Sequence, residues 1–218
     1  MKDTIDKKLL HTILDCLRDL DYIKKDDIPN IDLYMDQVTT FMDEHLSGSK
    51  RADDDKILTK TMINNYTKND LLPPPIKKKY TKEHIYILIF TYYFKSFLSI
   101  GDIQNILTPL KDMFYKNEDS SFNLEDIYNG IVEMERTQSS AFLKEVMNLY
   151  SKSREVFPKK EDATPEEQSF LTSFVLVCIL GYDVYTKKLL IERLIDRAFT
   201  KPTEDDKQEP KEKKEKTN

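Results

Sequence analysis

Three consecutive prolines, Pro73–Pro75, restrict the possible folds of this chain more than any other local feature. Proline cannot continue a helix, and it has no N–H to donate to a central strand. The segment from Leu71 to Tyr80 is therefore predicted to be an extended connector or a short edge hairpin. Thr59 and Thr81 are the predicted N-caps of the two flanking helices, because a threonine hydroxyl accepts a hydrogen bond from the first helical turn.

The rest of the chain favours helix. Of its 218 residues, 39% are hydrophobic, 33% are charged and only four are glycine, which suits a mainly helical, all-α protein of one or two small domains. Apolar residues recur at three- and four-residue spacing from Ile5 to Leu20, in a first helix that should end before Pro29. A second helix is predicted to have Asn30 as its N-cap. Its inner face would carry Ile31, Tyr34, Val38, Phe41 and Met42.

Further helix boundaries are predicted from caps and breaks. A new helix is expected after the break at Ser99–Asp102, running to Pro109. Asn123 is expected to open a long helix interrupted at Thr137–Ser140. The pair Thr164-Pro165 is expected to start another helix, which Gly181 separates from the last one.

Two apolar clusters are predicted to be core. The run Phe170–Leu180 is eleven residues, shorter than the roughly 20 of a membrane span, and is predicted to be a buried helix in which Cys178 is inert packing. The second cluster has aromatic side chains at helical spacing, which could line an effector pocket but more commonly form core. Its members are Tyr86, Phe90, Tyr92, Tyr93, Phe94 and Phe97.

Charge is distributed unevenly along the chain. The net charge is −5, yet the segment from Lys56 to Lys82 contains seven lysines and one acidic residue, Asp70. The tail Lys201–Asn218 has balanced charges and no apolar residue, and is predicted to be disordered. A basic island on an acidic protein is typical of a surface that meets a polyanion, although a solvated loop is the alternative for any single lysine.

The sequence gives no indication of an enzyme. The three histidines are scattered, no glycine-rich phosphate loop is present, and neither Cys16 nor Cys178 has a neighbour at zinc-ligand spacing. No cofactor and no metal are predicted. The absence of a disulfide framework and of a secretory signal favours the cytoplasm, without membrane attachment.

The segment around the prolines resembles the winged helix-turn-helix of mercury-resistance-type (MerR) regulators. Tyr66, Leu71-Leu72-Pro73-Pro74 and Tyr80-Thr81 occupy the places where that family has a tyrosine-bearing helix end, a Leu-Leu-Pro exit and the start of the helix after the wing. The chain also looks like an uncharacterised bacterial domain-of-unknown-function family with a MerR-like module. It departs from the MerR pattern in having Asn64 and Asn65 where arginine usually precedes the aromatics.

The resemblance implies a dimeric DNA-binding transcriptional regulator. Its predicted parts are an N-terminal helix (1–29), a MerR-like winged helix-turn-helix (30–112), a helical dimerisation or effector region (113–200) and the charged tail (201–218). Double-stranded DNA and a second copy are the expected partners. The predicted DNA-binding residues are Thr59, Lys60, Asn64, Asn65, Tyr66, Lys68, Lys77, Lys78, Lys79, Tyr80, Thr81 and Lys82. The alternative is a non-enzymatic interaction or adaptor module that keeps the fold without specific DNA binding.

Overall fold

The computed structural model describes residues 7–18, 23–52, 54–115, 117, 119–157 and 163–200. Within these ranges the protein is mainly α-helical, as predicted, with one two-stranded sheet. The elements in chain order are α1 (Lys7–Arg18), β1 (Leu33–Tyr34), α2 (Met35–Leu46), α3 (Lys60–Lys68), β2 (Lys79–Tyr80), α4 (Lys82–Phe94), α5 (Ile100–Phe114), α6 (Leu124–Val156) and α7 (Pro165–Ala198). The predicted disordered tail lies outside the described residues. The first helix ends before Pro29 as predicted, because the only helix in residues 23–28 is the short 3₁₀ helix Lys25–Asp27.

Most helices begin at N-cap residues that the sequence indicates. Thr59, Ser99, Asn123 and Thr164 each accept a hydrogen bond from a backbone N–H in the first turn of the helix that follows. Thr81 caps α4. Short polar side chains at these positions satisfy amide groups that the helix itself leaves unpaired. The starts predicted at Thr59, Thr81, Asn123 and Thr164 are confirmed, whereas α5 already begins at Ile100, inside the stretch predicted as a break.

The predicted start of the second helix is wrong. The N-cap is Tyr34 instead of Asn30, and the side chain of Ile31 is 69% exposed. Leu33 and Tyr34 pair with Tyr80 and Lys79 in an antiparallel ladder, which keeps the chain extended up to the helix. The Gln37 side chain then accepts a hydrogen bond from the Tyr34 N–H at 2.8 Å. Val38, Phe41 and Met42 are buried as expected.

Three predicted helix ends are also wrong. Helix α5 passes through Pro109 to Phe114, α6 is unbroken across Thr137–Ser140, and α7 is unbroken across Gly181. Thr, Gln and Ser cost a helix little, and one glycine costs about 1 kcal/mol relative to alanine. Burial on both sides of each position offsets such costs, as with Leu176 before Gly181 and Ile195 after it.

The buried apolar residues form two clusters. The first lies among α2, α3, α4, α5 and the start of α6, and includes Ile195 from the end of α7. The second joins α1, α6 and the first half of α7. It consists of Leu10, Leu14, Leu143, Val146, Tyr150 and Leu176. Helices α6 and α7 therefore connect both clusters.

The predicted burial of the apolar run Phe170–Leu180 is only half right. Leu176 is buried, but Phe170, Phe174 and Val177 are 53–59% exposed, and Cys178 is an exposed free thiol. The aromatic cluster on α4 is packed as predicted. Tyr86 and Phe90 are buried in the first cluster, and the remaining aromatic side chains of the group are partly buried against it.

Candidate nucleic-acid interface

Helix α3 presents an apolar face to the core and a polar face to solvent. The Thr59 hydroxyl accepts the Met62 N–H at 3.2 Å, and Ile63 and Tyr66 are 0% and 5% exposed. The opposite face is exposed along the whole helix. It carries Lys60, Asn64, Asn65 and Lys68. Because Lys60, Asn64 and Lys68 are four residues apart, their side chains share one side of the helix.

A tight C-terminal cap ends α3 and turns the chain toward the prolines. Asp70 adopts a left-handed φ of 55°. The Leu71 N–H donates to the Tyr66 carbonyl at 2.8 Å, and the Asp70 N–H donates to the Thr67 carbonyl at 3.2 Å. These two bonds define a Schellman motif, in which glycine is the usual left-handed residue. Leu71 and Leu72 follow at 0% and 1% exposure and anchor this end of α3.

Helix α5 holds the same turn from the other side. The Gln104 amide donates to the Asn69 carbonyl, and the Lys111 ammonium donates to the Asp70 carbonyl. Lys111 also pairs with the Asp70 carboxylate at 3.6 Å, although its own side chain is only 9% exposed. Sequence reasoning missed both residues, because nothing in the local pattern relates α5 to a turn some 40 residues earlier.

The connector after the prolines is a short basic hairpin, the second of the two predicted alternatives. We call Ile76–Lys79 the basic hairpin. The N–H and carbonyl groups of Ile76 and Lys79 exchange two hydrogen bonds of 2.9 Å. The central residues Lys77 and Lys78 have φ values of 49° and 66°, the signs that a type I′ turn requires. Asn and Gly are the usual residues in such turns, so two lysines there are under backbone strain.

A buried histidine fixes the base of this hairpin. The Thr81 N–H donates to Nδ1 of His84 at 3.0 Å, so Nε2 carries the ring hydrogen and faces the Pro74 carbonyl at 3.3 Å. His84 is 0% exposed and also contacts the Tyr115 hydroxyl. This one side chain therefore ties the start of α4 to the end of the proline segment. The sequence placed His84 in no motif, and its position three residues after the Thr81 cap was the only indication.

The structure brings the start of α3 and the basic hairpin to the same junction. The Lys60 ammonium pairs with the Asp36 carboxylate in the first turn of α2. The Lys79 ammonium lies 5.2 Å from the centre of the Tyr34 ring, two residues before Asp36. Tyr34 and Asp36 were not predicted as site residues, because Tyr34 was placed on an inward helical face. Its ring is 54% exposed.

Besides Lys60, which pairs with Asp36, four of the predicted DNA-binding residues do not present a free polar group on this surface. Tyr66, Tyr80 and Thr81 are buried, and burial raises the pKa of Tyr66 and Tyr80 above the ordinary tyrosine value. Lys82 pairs with Glu125 of α6 at 2.8 Å. In contrast, Lys68, Lys77 and Lys78 are exposed and make no ion pair with any described residue. Together with Lys79, whose ammonium contacts the Tyr34 ring but no described carboxylate, these three lysines carry the positive charge of the site that no carboxylate neutralises.

Two further features are absent from the described residues. No group of His, Cys, Asp and Glu side chains there has the arrangement of a metal site. No helix in that part of the chain is long and apolar enough to cross a membrane.

Comparison with known proteins gives one family. The sequence pattern of DUF1836, a domain of unknown function, matches residues 23–131, which is half of the chain. The matched segment contains α2 to α5, the two-stranded sheet and the first turns of α6, and thus the whole candidate interface. No curated protein and no solved structure matches the chain. The predicted resemblance to a family of unknown function agrees with this match. The predicted resemblance to MerR-type regulators is not supported by any match.

Proposed function

We propose that this chain, which belongs to the DUF1836 family, is a DNA-binding transcriptional regulator that acts as a homodimer. In this proposal α3 enters the major groove and the basic hairpin lies against phosphates, in the manner of a winged helix-turn-helix. One observation carries the proposal. The strained turn of the hairpin displays two unpaired lysines, and the hairpin and the start of α3 meet at the neighbouring residues Tyr34 and Asp36.

The strain at Lys77 and Lys78 argues for a use of their side chains. A left-handed conformation costs a residue with a Cβ about 1–2 kcal/mol relative to the right-handed region. Glycine or asparagine would relieve much of that cost while keeping the same turn. Backbone strain of this kind concentrates at functional sites. Phosphate contact is a use that needs a lysine ammonium at the tip of an exposed loop.

The chemistry of α3 suits a base edge flanked by phosphates. The amide of Asn64 can accept and donate together, which matches the N6 and N7 edge of adenine in the major groove. Lys60 and Lys68 lie one helical turn before and after it, about 12 Å apart along the axis. They therefore stand where phosphates would flank a contacted base.

A second candidate function has its own supporting observation. Lys60 and Lys82 are already paired with Asp36 and Glu125, which neutralises two of the seven lysines between Lys56 and Lys82. An interaction or adaptor module that has kept the fold without reading DNA would tolerate such pairing. The two candidates differ in salt-dependent DNA binding.

Replacing Lys77, Lys78 and Lys79 by alanine should weaken binding to every DNA sequence by a similar factor. Each lost phosphate contact lowers the slope of log affinity against log salt by about 0.9, so the slope should fall by about 2 to 3. The measurement is fluorescence anisotropy on the DNA upstream of the protein's own gene at several salt concentrations.

A matched variant controls for net charge. Lys8, Lys144 and Lys152 are exposed on α1 and α6, far from the hairpin in sequence, and their replacement by alanine removes the same three charges. That variant should keep the wild-type slope. Absence of any specific complex at low salt would refute the regulator proposal, and an unchanged slope in the hairpin variant would refute the role of the hairpin.

Exchanging Lys77-Lys78 for Asn-Gly should separate stability from binding. The double variant K77N/K78G adopts positive φ at lower cost, so its free energy of unfolding should rise by roughly 0.5–2 kcal/mol. Its DNA affinity should fall, because two phosphate-binding charges are gone. Urea unfolding and anisotropy measure the two effects. K77A/K78A is the control, since it loses the same charges without relief of strain; equal stability of the two variants would argue against the strained turn.

A further inference from the structure

Half of α7 has an apolar face that no described part of the chain covers. We call the side chains of Phe170, Phe174, Val177, Val184 and Tyr185, with Gly181 between them, the α7 face. These five side chains are 53–62% exposed. Their spacing of three and four residues places them on one side of the helix, while Thr172 and Leu176 are buried on the other. The rings of Phe170 and Phe174 stack within the face at 6.0 Å.

The α7 face is large enough to serve as a binding surface. A fully exposed aromatic side chain offers about 150–250 Å² of surface, so the three half-exposed aromatic side chains offer roughly 300 Å², and the two smaller valines raise the total to on the order of 400–500 Å². That value approaches the largest apolar patch on a typical monomer. The area of the α7 face together with a polar rim comes near the roughly 800 Å² that each partner contributes to a stable interface. A partner of matching size would cover the α7 face.

No described part of the chain supplies that partner. The longest segment outside the described residues, 201–218, contains no hydrophobic residue, and residues 158–162 read Pro-Lys-Lys-Glu-Asp. An anionic lipid surface is also a poor match. Helix α7 has Glu166, Glu167 and Asp183 but no lysine or arginine before Lys187. Basic residues on the rim are what draw an amphipathic helix to such a surface.

We propose that the α7 face binds the same face of a second copy, with the two α7 helices antiparallel. This inference specifies the homodimer that the proposed function includes. A two-fold axis passing between Val177 and Cys178 places Phe174 opposite Gly181 and Phe170 opposite Tyr185. A Cβ built on Gly181 has no atom within 4 Å, so this position offers open space for the partner's phenyl ring. Such self-complementarity is what a two-fold interface requires.

The charges at the ends of the face favour the antiparallel arrangement. Glu166 and Glu167 precede the face, and Lys187 and Lys188 follow it. The antiparallel register places Glu167 opposite Lys188 of the other copy. Both side chains already have partners within their own helix region, Thr164 and Glu192, and the attraction across the interface adds to these contacts. A parallel pairing would set carboxylate against carboxylate and ammonium against ammonium.

The first test is the mass of the full chain in solution without DNA. Sedimentation should give twice the monomer mass of 25.7 kDa for the wild type and the monomer mass for Phe174→Glu. Leu190→Glu is the matched control, because Leu190 is 58% exposed on the same helix but off the face, and it should remain dimeric. Circular dichroism checks that each variant keeps its helix content.

The second test is the orientation. In a background of Cys16→Ser and Cys178→Ser, a protein with Phe170→Cys is mixed with one carrying Tyr185→Cys and then oxidised. The antiparallel pairing predicts a disulfide between the two different proteins and none in the Phe170→Cys protein alone.

Each contrary outcome is informative. A monomeric wild type, or a Phe174→Glu variant that remains dimeric, overturns the interface. Cross-linking of the Phe170→Cys protein to itself overturns the antiparallel order. Co-sedimentation of a monomeric wild type with phosphatidylglycerol vesicles would assign the face to lipid instead. A dimer that binds no DNA would contradict the proposed function and leave this inference standing. A monomer that binds DNA would overturn this inference and the homodimer, and would leave DNA binding standing.

Discussion

Raising the pH above 10 is expected to unfold the protein over a narrow pH range. Burial raises the pKa of Tyr66, Tyr80, Tyr86 and Tyr115 above the ordinary value of 10, and that of Tyr115 reaches about 12. Nearby carboxylates, Glu125 foremost, raise that of Tyr86 further. Each folded-state phenol thus holds its proton where the unfolded phenol has lost it. The stability that this provides is complete below pH 10 and is lost as the pH rises through the folded-state values.

One lysine acts in the opposite direction. The Lys95 ammonium donates to the Ile57 carbonyl at 2.7 Å and lies 4.6 Å over the Tyr92 ring, and burial lowers its pKa. Its contribution to stability therefore rises with pH as it loses its proton. Because four tyrosines lower the stability at high pH and only one lysine raises it, we expect a net loss of stability.

Urea unfolding at pH 8, 10 and 11 measures this effect, and tyrosinate absorbance follows the titration directly. The chain has twelve tyrosines and no tryptophan, so the ultraviolet signal comes almost entirely from the phenols. The buried phenols should ionise together with the loss of helical circular dichroism. Replacing Tyr80 by phenylalanine should make the fall in stability shallower. Ionisation of all twelve near pH 10 with the helices intact would contradict the burial of this group.

Leu71→Ala is expected to lower the free energy of unfolding by about 2–5 kcal/mol. Its side chain is 0% exposed, and shortening a buried leucine removes apolar contacts and leaves a cavity. Its N–H also closes the turn that ends α3. The variant should therefore lose DNA affinity by loosening α3, without losing any charge.

Urea unfolding compares this variant with Met113→Ala, whose side chain is 52% exposed on α5 and whose loss should change stability by less than about 0.5 kcal/mol. A small effect of Leu71→Ala would show that the end of α3 is not anchored as described. If the free energy of unfolding falls by the expected amount but DNA binding at low temperature stays normal, Leu71 stabilises the fold without supporting the DNA interface.

The sequence predicted those parts of the fold that depend on chemistry within a few residues. Thr59, Thr81 and Asn123 cap helices because their hydroxyl or amide groups reach the next turn. The prolines forced an extended segment, and the excess of lysine marked the same segment as a candidate interface. These features are encoded locally, so their recognition needed no knowledge of the tertiary structure.

The errors arose where distant residues decide the outcome. Gly181 and the polar residues 137–140 weaken a helix locally, but the contacts of α6 with α7 keep both helices continuous. The contact of Lys111 with Asp70 joins residues far apart in sequence, and His84, which joins Thr81 to Pro74, belongs to no recognised motif. The apolar run at Phe170 was predicted to be core because composition alone does not show which side of a helix lacks a partner.

Ile195 near the end of α7 lies at 2% exposure in the same cluster as Leu72 and Ile103, with Ile191 packed partly against it. The family match ends at residue 131, more than 60 residues earlier. The hydrophobic core of the matched segment is thus completed by a side chain that the segment does not contain. The family match and the hydrophobic core that it contributes to therefore have different boundaries, and a fragment cut at the end of the match would leave that core open to water.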